Sequence, residues 1–448
     1  MDLIEGGASR TMTGEGHRAI EVNGYAQSAA TRNTEAKIHR RGEPQLHMTP
    51  LMRRLSTPLA TCRRRAVRIS EAVDLPPGVI LDPACGSGVA LAVACAASGR
   101  VGLGIELDDE VAGLAAANIN RLLDKGRDPG RRAHRVLVGD GTAAESAMSS
   151  YHDSLAEAEI DATPPIAMLM LDPARPNDAQ NHTLDEMQPA LAPLLKAWLP
   201  HMSVAKSGPA FLLDLSPRLS TAQQAEVDSI IDSLGDNIPR TWVWTSQGNG
   251  RIDRLSVWTG PLASDANREA ILVGRGQIVQ TITGQSGASF KQHRAPMPLP
   301  FDTWLTIIDA GLVGAGLHEV WAESALGAAA LDALWMRSSP RRPLLITEQQ
   351  PEFSSKHATF ALITGRIVHH RLSAPSIKNT ASIAEAAKRL GLSKIRLRCG
   401  LDPDLQPRVQ RSLNRRMKGC SGPEGFIVDV PVSRGQSLHS VYILCIEE

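Results

Sequence analysis

The sequence predicts an α/β fold in which helices cover both faces of a mostly parallel β-sheet. Over residues 76–262, short apolar runs typical of buried strands alternate with longer runs that have the apolar spacing of helices. Strands that alternate with helices form parallel sheets, because each crossover helix packs on one face of the sheet. Beyond residue 262 the order of elements is mixed, so residues 263–448 predict a second, smaller α+β region.

Length, composition and charge limit the class of protein. A chain of 448 residues predicts two or three domains, and a hydrophobic content of 42% is sufficient for their cores. The 48 basic and 47 acidic side chains leave a net charge of +1, which argues against a uniformly basic nucleic-acid coat. The chain has no apolar run of about 20 residues, no secretion leader and no C-x-x-C pair. We therefore expect a cytoplasmic protein with reduced thiols, no membrane segment and no metal site.

The N-terminal part of the chain precedes the alternating pattern. Residues 1–47 are rich in Gly, Ser, Thr, Arg and Glu and have no apolar period, which predicts a disordered arm. Residues 48–75 have apolar side chains near one face of a helix, which predicts a helical lead-in that Pro76-Pro77-Gly78 ends.

The domain over 76–262 is predicted element by element. The expected strands are residues 79–81, 101–105, 136–138, 166–171 and 211–213, and the expected helices are residues 86–97, 109–123, 184–199 and 221–234. Two further runs, 242–244 and 255–258, predict a closing antiparallel pair. We expect Trp242, Trp244 and Trp258 on this pair to pack in the core rather than to stack on bases.

The region over 263–448 predicts strands and helices in no regular order. Helices are expected over 301–317 and 324–336. A basic helix is expected over 403–417, between strands at 395–398 and 426–430.

The strongest local signal is a glycine-rich turn, Leu81-Asp82-Pro83-Ala84-Cys85-Gly86-Ser87-Gly88, between a predicted strand and a predicted helix. Gly86 and Gly88 allow a sharp turn and the close approach of a ligand, and the helix that follows offers free N–H groups. A dinucleotide-binding turn, G-x-G-x-x-G/A, is the alternative, but Leu91 occupies its third glycine position. The carboxylate of Asp82 favours a ligand with a cationic end over a pyrophosphate.

Three more acidic residues follow at the ends of the next strands. Glu106 ends the second strand, twenty residues after Gly86, where a carboxylate can accept hydrogen bonds from both hydroxyls of a ribose. Asp140 ends the third strand, where it can accept a hydrogen bond from an adenine amino group, and Asp172 ends the fourth. Each acid alone is equally well explained as a loop or helix cap. Four at successive strand ends favour a ligand site.

These residues resemble the class I S-adenosylmethionine-dependent methyltransferases. The segment from Asp82 to Gly88 is similar to their first motif, Glu106 to their ribose-binding acid, and Asp140 to their adenine contact. The resemblance implies a Rossmann-like sheet of seven strands that ends in a reversed hairpin, with S-adenosyl-L-methionine as the methyl donor. The donor-binding residues that it implies are Asp82, Ala84, Gly86, Gly88, Glu106 and Asp140.

A narrower resemblance involves Asp172-Pro173-Ala174-Arg175, which is similar to the D-P-A-R-R motif of methyltransferases with a C-terminal THUMP-like domain. Thr57-Pro58 resembles the helical lead-in of that family, and Lys394 to Arg398 resembles its basic strand. Pro176 departs from the motif, and Asp214 stands where that family has a Lys-containing segment. The resemblance implies that residues 263–448 are a THUMP-like region.

The residues after the fourth strand limit the chemistry of methyl transfer. An Asn/Asp-Pro-Pro-aromatic turn, as in enzymes that methylate exocyclic amines, is absent because Ala174 and Arg175 follow Pro173. No cysteine between Cys95 and Cys399 could act as the nucleophile of a pyrimidine-C5 mechanism. Alignment of the donor with a nucleophile remains, with Asp172 and Arg175 as the expected catalytic residues. Asp172 could hold or deprotonate the acceptor, and Arg175 could bind a phosphate.

Basic residues concentrate at two places in the chain. Residues 1–70 hold twelve Lys and Arg against six Asp and Glu, and residues 388–418 hold ten against two. Such a segment is either a solvated face or a surface that follows phosphates. Together with the THUMP-like resemblance, the two segments predict a methyltransferase of RNA, such as tRNA or rRNA. The alternative is a non-catalytic RNA-binding or assembly protein that retains the donor pocket.

Overall fold

The chain forms two compact units. The first contains Met1–Arg240 and Ser256–Ala263, and the second contains Thr241–Leu255 and Ser264–Glu448. The computed structural model describes residues 16–25, 44–123, 131–160, 164–174, 183–248, 252–274, 277–285, 289–293, 299–339, 342–354, 357–434 and 437–448.

The first unit alternates strands with helices, as the sequence predicts. In chain order its elements are β1 (Arg18–Glu21), α1 (Pro50–Leu55), α2 (Leu59–Glu71), β2 (Val79–Asp82), α3 (Val89–Ser98), β3 (Gly102–Glu106), α4 (Asp109–Leu122), β4 (Arg135–Val138), α5 (Ala144–Glu157), β5 (Ile166–Leu171), α6 (Leu191–Trp198), β6 (Phe211–Leu215) and α7 (Thr221–Asp232). β7 (Arg240–Ser246) begins at the end of this unit, and β8 (Ile252–Thr259) ends in it.

The sheet of the first unit has the hydrogen-bonded order β1-β4-β3-β2-β5-β6-β8. The neighbours from β4 to β6 are all parallel, and every residue of β2, β5 and β6 is buried. This result confirms the prediction of a parallel sheet, because strands covered on both faces need continuous apolar runs. The carboxyl ends of β2 to β5 therefore lie at one edge of the sheet.

The N-terminal prediction is wrong for four residues of the predicted disordered arm, 1–47. Arg18–Glu21 form β1, which pairs antiparallel with β4 in a register that places Arg18 opposite Val138. Ile20 is buried against the sheet, and Arg18 forms an ion pair with Asp109. A strand this short has too few residues to show an alternating pattern, so it was not predictable from the sequence. Residues 1–15 and 26–43 of the arm lie outside the described residues.

The helical lead-in predicted over 48–75 consists of two helices, α1 and α2. They are separated by Ser56-Thr57-Pro58, because proline disfavours a helical conformation at the residue before it. Thr49 caps α1 through a hydrogen bond from the backbone N–H of Met52 to its hydroxyl. Ser56 and Thr57 in this interruption contact residues of the candidate site described below.

The second unit contains the remaining elements. After β7 and β8 they are β9 (Arg268–Gly274), β10 (Gln277–Gly284), β11 (Trp304–Ile308), α8 (Ala310–Gly314), α9 (His318–Leu326), β12 (Leu334–Ser339), β13 (Arg342–Thr347), β14 (Ala361–Leu372), α10 (Thr380–Arg389), β15 (Lys394–Leu397), α11 (Gln406–Arg416), β16 (Glu424–Arg434) and β17 (Ser437–Glu447). One group of strands has the order β8-β7-β9-β10, and a separate seven-stranded sheet has the order β12-β13-β11-β14-β17-β16-β15. Trp242, Trp244 and Trp258 are buried, which confirms that the closing pair contributes to a core.

Two predicted helices of the second unit are wrong. Residues 301–317 contain β11 followed by the short α8, and residues 324–336 contain the end of α9 and the start of β12. β11 is a continuous apolar run, Trp304 to Ile308, and periodicity alone does not distinguish a buried strand from a buried helix in so short a run. The unit is therefore richer in strands than the sequence indicated.

The helix predicted over 403–417 is α11, which packs beside β15. Val409 and Leu413 are its buried apolar side chains. Gln410 lies between them in sequence, and its side-chain amide accepts a hydrogen bond from the Leu397 N–H at 2.8 Å and donates to the Ile395 carbonyl at 2.7 Å. Among the described residues, no helix has the length and apolar character that crossing a membrane requires.

Candidate active site

The glycine-rich turn joins the end of β2 to the start of α3. Gly86 and Gly88 both have left-handed backbones, with φ of +50° and +70°. The turn is closed by a hydrogen bond of 2.8 Å from the Gly88 N–H to the Cys85 carbonyl. Left-handed backbone is favourable for glycine and strained for most other residues, which explains the two glycines of this turn.

The two glycines of the turn have different surroundings. A Cβ atom added to Gly86 would meet no atom within 4 Å, so this side of the turn is open. A Cβ atom added to Gly88 would lie 2.9 Å from the Ala115 carbonyl oxygen and 2.9 Å from a carbon of Ile119. Gly88 thus permits close packing of α3 on α4. Both glycines are predicted to admit a ligand, and the structure shows open space beside Gly86 and close packing beside Gly88.

Two acidic residues hold the turn. Glu106, at the end of β3, accepts hydrogen bonds from the Gly86 N–H at 3.0 Å and from the Asp108 N–H at 3.1 Å. Asp82, at the end of β2, is buried and accepts a hydrogen bond of 3.3 Å from the Ala84 N–H. The sequence placed both acids at strand ends, and the structure brings both to the same turn.

Burial and, to a smaller extent, the nearby carboxylates of Asp172, Glu106 and Asp214 raise the pKa of the Asp82 carboxyl to about 8, although the Ala84 N–H lowers it. Burial also raises the pKa of Glu106, against the effect of its two backbone donors. A cation that binds beside Asp82 competes with the proton of this carboxyl, because a nearby positive charge stabilises the ionised carboxylate.

The loop after β4 carries Asp140 to the edge of the turn. The Asp140 side chain is exposed and accepts hydrogen bonds from the backbone and hydroxyl of Thr142, at 2.9 and 2.8 Å. A Cβ atom added to Gly141 would lie 1.9 Å from the Pro83 carbonyl oxygen, so this loop crosses close to the donor turn. His17 makes a hydrogen bond of 2.9 Å to the Asp140 carbonyl. His17 was not predicted as a site residue because it lies in the segment predicted to be disordered.

Asp172 follows β5 and is exposed. Its Oδ2 accepts a hydrogen bond of 3.0 Å from the hydroxyl of Thr57, which is buried. The chain after Asp172 is held by two backbone hydrogen bonds of 2.9 Å between Ala174 and Gln188. Arg175, the second expected catalytic residue, lies outside the described residues, as does Pro176.

Asp214 on β6 has a structural partner that the sequence did not indicate. Its carboxylate forms a two-point ion pair with the Arg65 guanidinium on α2, and both groups are buried. The hydroxyl of Ser256 donates a further hydrogen bond of 2.8 Å to the same carboxylate. The position at which the resembling family has a Lys-containing segment is thus used here to fix α2 on the sheet.

The comparisons with known proteins agree with the fold. No family model and no curated protein matches the chain. Among solved structures, the chain is similar to a protein of Porphyromonas gingivalis W83 that is assigned as a methyltransferase, with 17% identity and a TM-score of 0.52. This similarity covers 90% of the present chain and 84% of that one. It shows that the chain shares the fold of that protein, a mixed α/β architecture with a parallel-rich, Rossmann-like sheet.

Two further solved structures are less similar. One, assigned as a class I S-adenosylmethionine-dependent methyltransferase of Listeria monocytogenes, has 15% identity and a TM-score of 0.32 over 47% of this chain and 61% of that one. The other, assigned as an RNA methyltransferase of Pyrococcus horikoshii, has 13% identity and a TM-score of 0.29 over 46% of this chain and 85% of that one. At these TM-scores neither structure adds to the fold assignment.

Proposed function

We propose that the chain is an S-adenosylmethionine-dependent methyltransferase that acts on RNA, such as tRNA or rRNA. The observation that carries the proposal is a set of four acidic residues at the ends of adjacent parallel strands, around a glycine turn with one open side. Asp82 and Glu106 end β2 and β3, and Asp140 and Asp172 follow β4 and β5. In open α/β sheets, ligands bind at this edge.

The residues of the turn fit S-adenosylmethionine in chemistry and in space. The open side of Gly86 leaves room for a ligand, and the turn also presents the backbone of Ala84. We assign Asp82 to the cationic methionine end, Glu106 to the ribose hydroxyls and Asp140 to the adenine amino group. Gly88 contributes by keeping the turn against α4. When bound, the donor supplies a methyl group on a sulfonium, which a nucleophile can attack directly.

The acceptor side of the site is assigned to Asp172 and Arg175. The exposed carboxylate of Asp172 can orient the acceptor and take its proton, which makes it a general base. Burial raises the pKa of the Cys85 thiol well above its ordinary value, so the cysteine of the donor turn is a poor nucleophile. Catalysis therefore depends on alignment of donor and acceptor rather than on a covalent intermediate. We assign Arg175 to an acceptor phosphate.

RNA as the acceptor is supported by the helix α11. Arg408, Arg411 and Arg415 are exposed, and no described carboxylate forms an ion pair with them. They lie at spacings of three and four, which places them on one face of the helix. We propose that residues 263–448 are a THUMP-like region whose α11 face binds RNA phosphates.

The strand part of the basic segment does not contribute equally. Lys394 and Arg396 face one side of β15, as their alternation predicts, but Lys394 pairs with Glu424 at 3.3 Å. Arg396 pairs with Glu424 at 2.5 Å and with Glu447 at 3.5 Å. Lys394 and Arg396 are therefore less available to RNA phosphates than the exposed arginines of α11.

The test is a methyl-transfer assay with tritiated S-adenosylmethionine on total RNA and on protein extract from cells that lack the protein. We expect label in RNA, and a loss of 10²–10³ in rate for Asp172→Ala with donor affinity retained. Label in protein extract instead would refute the RNA acceptor. Donor binding without transfer to either extract would favour a non-catalytic RNA-binding or assembly protein that retains the donor pocket. Absence of donor binding would overturn the whole proposal.

A further inference from the structure

The dipeptide Ser56-Thr57, between α1 and α2, contacts both halves of the candidate site. The Ser56 hydroxyl lies 3.1 Å from the hydroxyl of Ser87 in the donor turn. The next residue, Thr57, donates its hydroxyl hydrogen to Asp172 on the acceptor side at 3.0 Å. Two adjacent residues of the lead-in thus join the loop after β2 to the loop after β5.

Asn118 on α4 attaches the start of the same segment to the donor turn. Its side chain is fully buried and accepts a hydrogen bond of 2.8 Å from the His47 N–H. Its amide group donates to the His47 carbonyl at 2.9 Å and to the Ser87 carbonyl at 3.0 Å. Because a buried amide with satisfied partners has one favourable orientation, Asn118 fixes the lead-in and the turn relative to each other.

The end of the segment is fixed by α2, which starts directly after Pro58. Arg65 on this helix is held by the buried ion pair with Asp214. Thr57 therefore lies between two anchored points, Asn118 before it and Arg65 after it. Thr57 is a buried residue, whereas the carboxylate that its hydroxyl contacts belongs to an exposed residue.

We propose that residues 47–57 form a clamp across the site and that Thr57 is a positioning residue for Asp172. An exposed carboxylate samples several rotamers, and a hydrogen bond from the hydroxyl of a fixed, buried residue restricts it to one of them. A general base that is held in one orientation meets the acceptor in the productive geometry more often. This inference rests on the proposed function and extends it to a residue outside the sheet.

Thr57→Val tests the clamp, because valine has the shape of threonine without the hydroxyl. In the methyl-transfer assay on total RNA, we expect kcat to fall about tenfold, with the KM for RNA and the affinity for S-adenosylmethionine changed less than twofold. Thr57→Ser restores the hydroxyl and should return kcat to within about threefold of the wild type. In the Asp172→Ala background, Thr57→Val should cause no additional loss, since the residue acts through Asp172.

A second readout does not depend on methyl transfer. Amide hydrogen exchange at Asp172 and Ala174 should increase in Thr57→Val, return in Thr57→Ser, and stay unchanged in the control Ser70→Ala. Among the described residues, the Ser70 hydroxyl bonds only to the carbonyl of Val67 in its own helix, at 2.7 Å. Unchanged exchange at Asp172 and Ala174 in Thr57→Val, or an equal kcat, would overturn the clamp. Failure of the wild type to bind S-adenosylmethionine would instead overturn the proposed function. The exchange result would then still show whether Thr57 restricts Asp172.

Discussion

The carboxylates of the first unit and the arginines of α11 both lie on a pair of parallel strands with its crossover helix. Their surroundings differ, because the carboxylates are enclosed by the fold and the arginines are exposed. β2, α3 and β3 place Asp82 and Glu106 at strand ends, where backbone N–H groups and burial surround them. β15, α11 and β16 form a parallel pair with its crossover helix, and the arginines project from the outer helix face into solvent. We therefore expect changes in the carboxylates to alter stability and the pH dependence of binding. Changes in the arginines should alter the salt dependence of RNA binding.

The largest effect is expected from the buried ion pair between Arg65 and Asp214 in the first unit. Arg65→Met should lower the free energy of unfolding by about 3–5 kcal/mol, because it leaves Asp214 charged, buried and without its partner. Urea denaturation measures this change. Arg389→Met is the matched control, since Arg389 pairs with Glu385 on the surface and its loss should cost at most about 0.5 kcal/mol. If both variants had the same free energy of unfolding, the buried ion pair would contribute no more to stability than the exposed one.

The next effect concerns donor binding. Asp82→Asn should weaken S-adenosylmethionine binding about 100-fold, or about 2.7 kcal/mol, because the amide cannot take the charge that the cationic ligand needs. The fold should remain intact, since burial already favours the neutral form of this side chain. Calorimetry at pH 8.5 checks the affinity, with Asp153→Asn on the exposed face of α5 as the control. An unchanged affinity would contradict the assignment of Asp82 to the methionine end of the donor.

A pH dependence follows from the pKa of Asp82, which burial raises to about 8. Below pH 8 the unliganded site holds a proton that a cationic ligand displaces, so affinity for S-adenosylmethionine should rise with pH, by up to tenfold per unit, and level off above 8. The same shift means that the folded state binds a proton that the unfolded chain releases near pH 4. Stability should thus fall as pH rises from about 4 to 8. Calorimetry in buffers of different ionisation enthalpy counts the released proton, and a flat profile would contradict the assignment.

The smallest effect per residue is expected on the α11 face. Changing Arg408, Arg411 and Arg415 to Glu should reduce the slope of log affinity against log salt by about 2 for single-stranded RNA, at about 0.7 per phosphate contact. Lys394→Ala should leave the slope almost unchanged, because Glu424 already neutralises that charge. Filter binding at several salt concentrations measures both variants. If the paired lysine matters as much as the three arginines, RNA does not contact the helix face.

The parallel sheet and its acidic edge could be predicted because both are local properties of the sequence. Buried parallel strands need uninterrupted apolar runs, and the residue that ends such a run lies at the ligand edge of the sheet. Glu106 is an example, since its distance of twenty residues from Gly86 corresponds to a direct hydrogen bond in the structure.

The contacts that complete the site could not be predicted because their partners are distant in sequence. Thr57 lies 115 residues before Asp172, and Arg65 lies 149 residues before Asp214. No period or motif connects residues at such separations. The role of Gly88 could not be predicted for a different reason. A glycine that allows close helix packing and a glycine that makes room for a ligand look the same in the sequence.

Gln410 has a consequence for how this molecule meets copies of itself. β15 is the last strand of its sheet, and an outer strand normally offers unpaired backbone groups on which another chain can form a further strand. The amide of Gln410 bonds to one donor and one acceptor on that strand, Leu397 N–H and the Ile395 carbonyl. A single side chain thus takes the place of a neighbouring strand. It protects the sheet from edge-to-edge aggregation at this side.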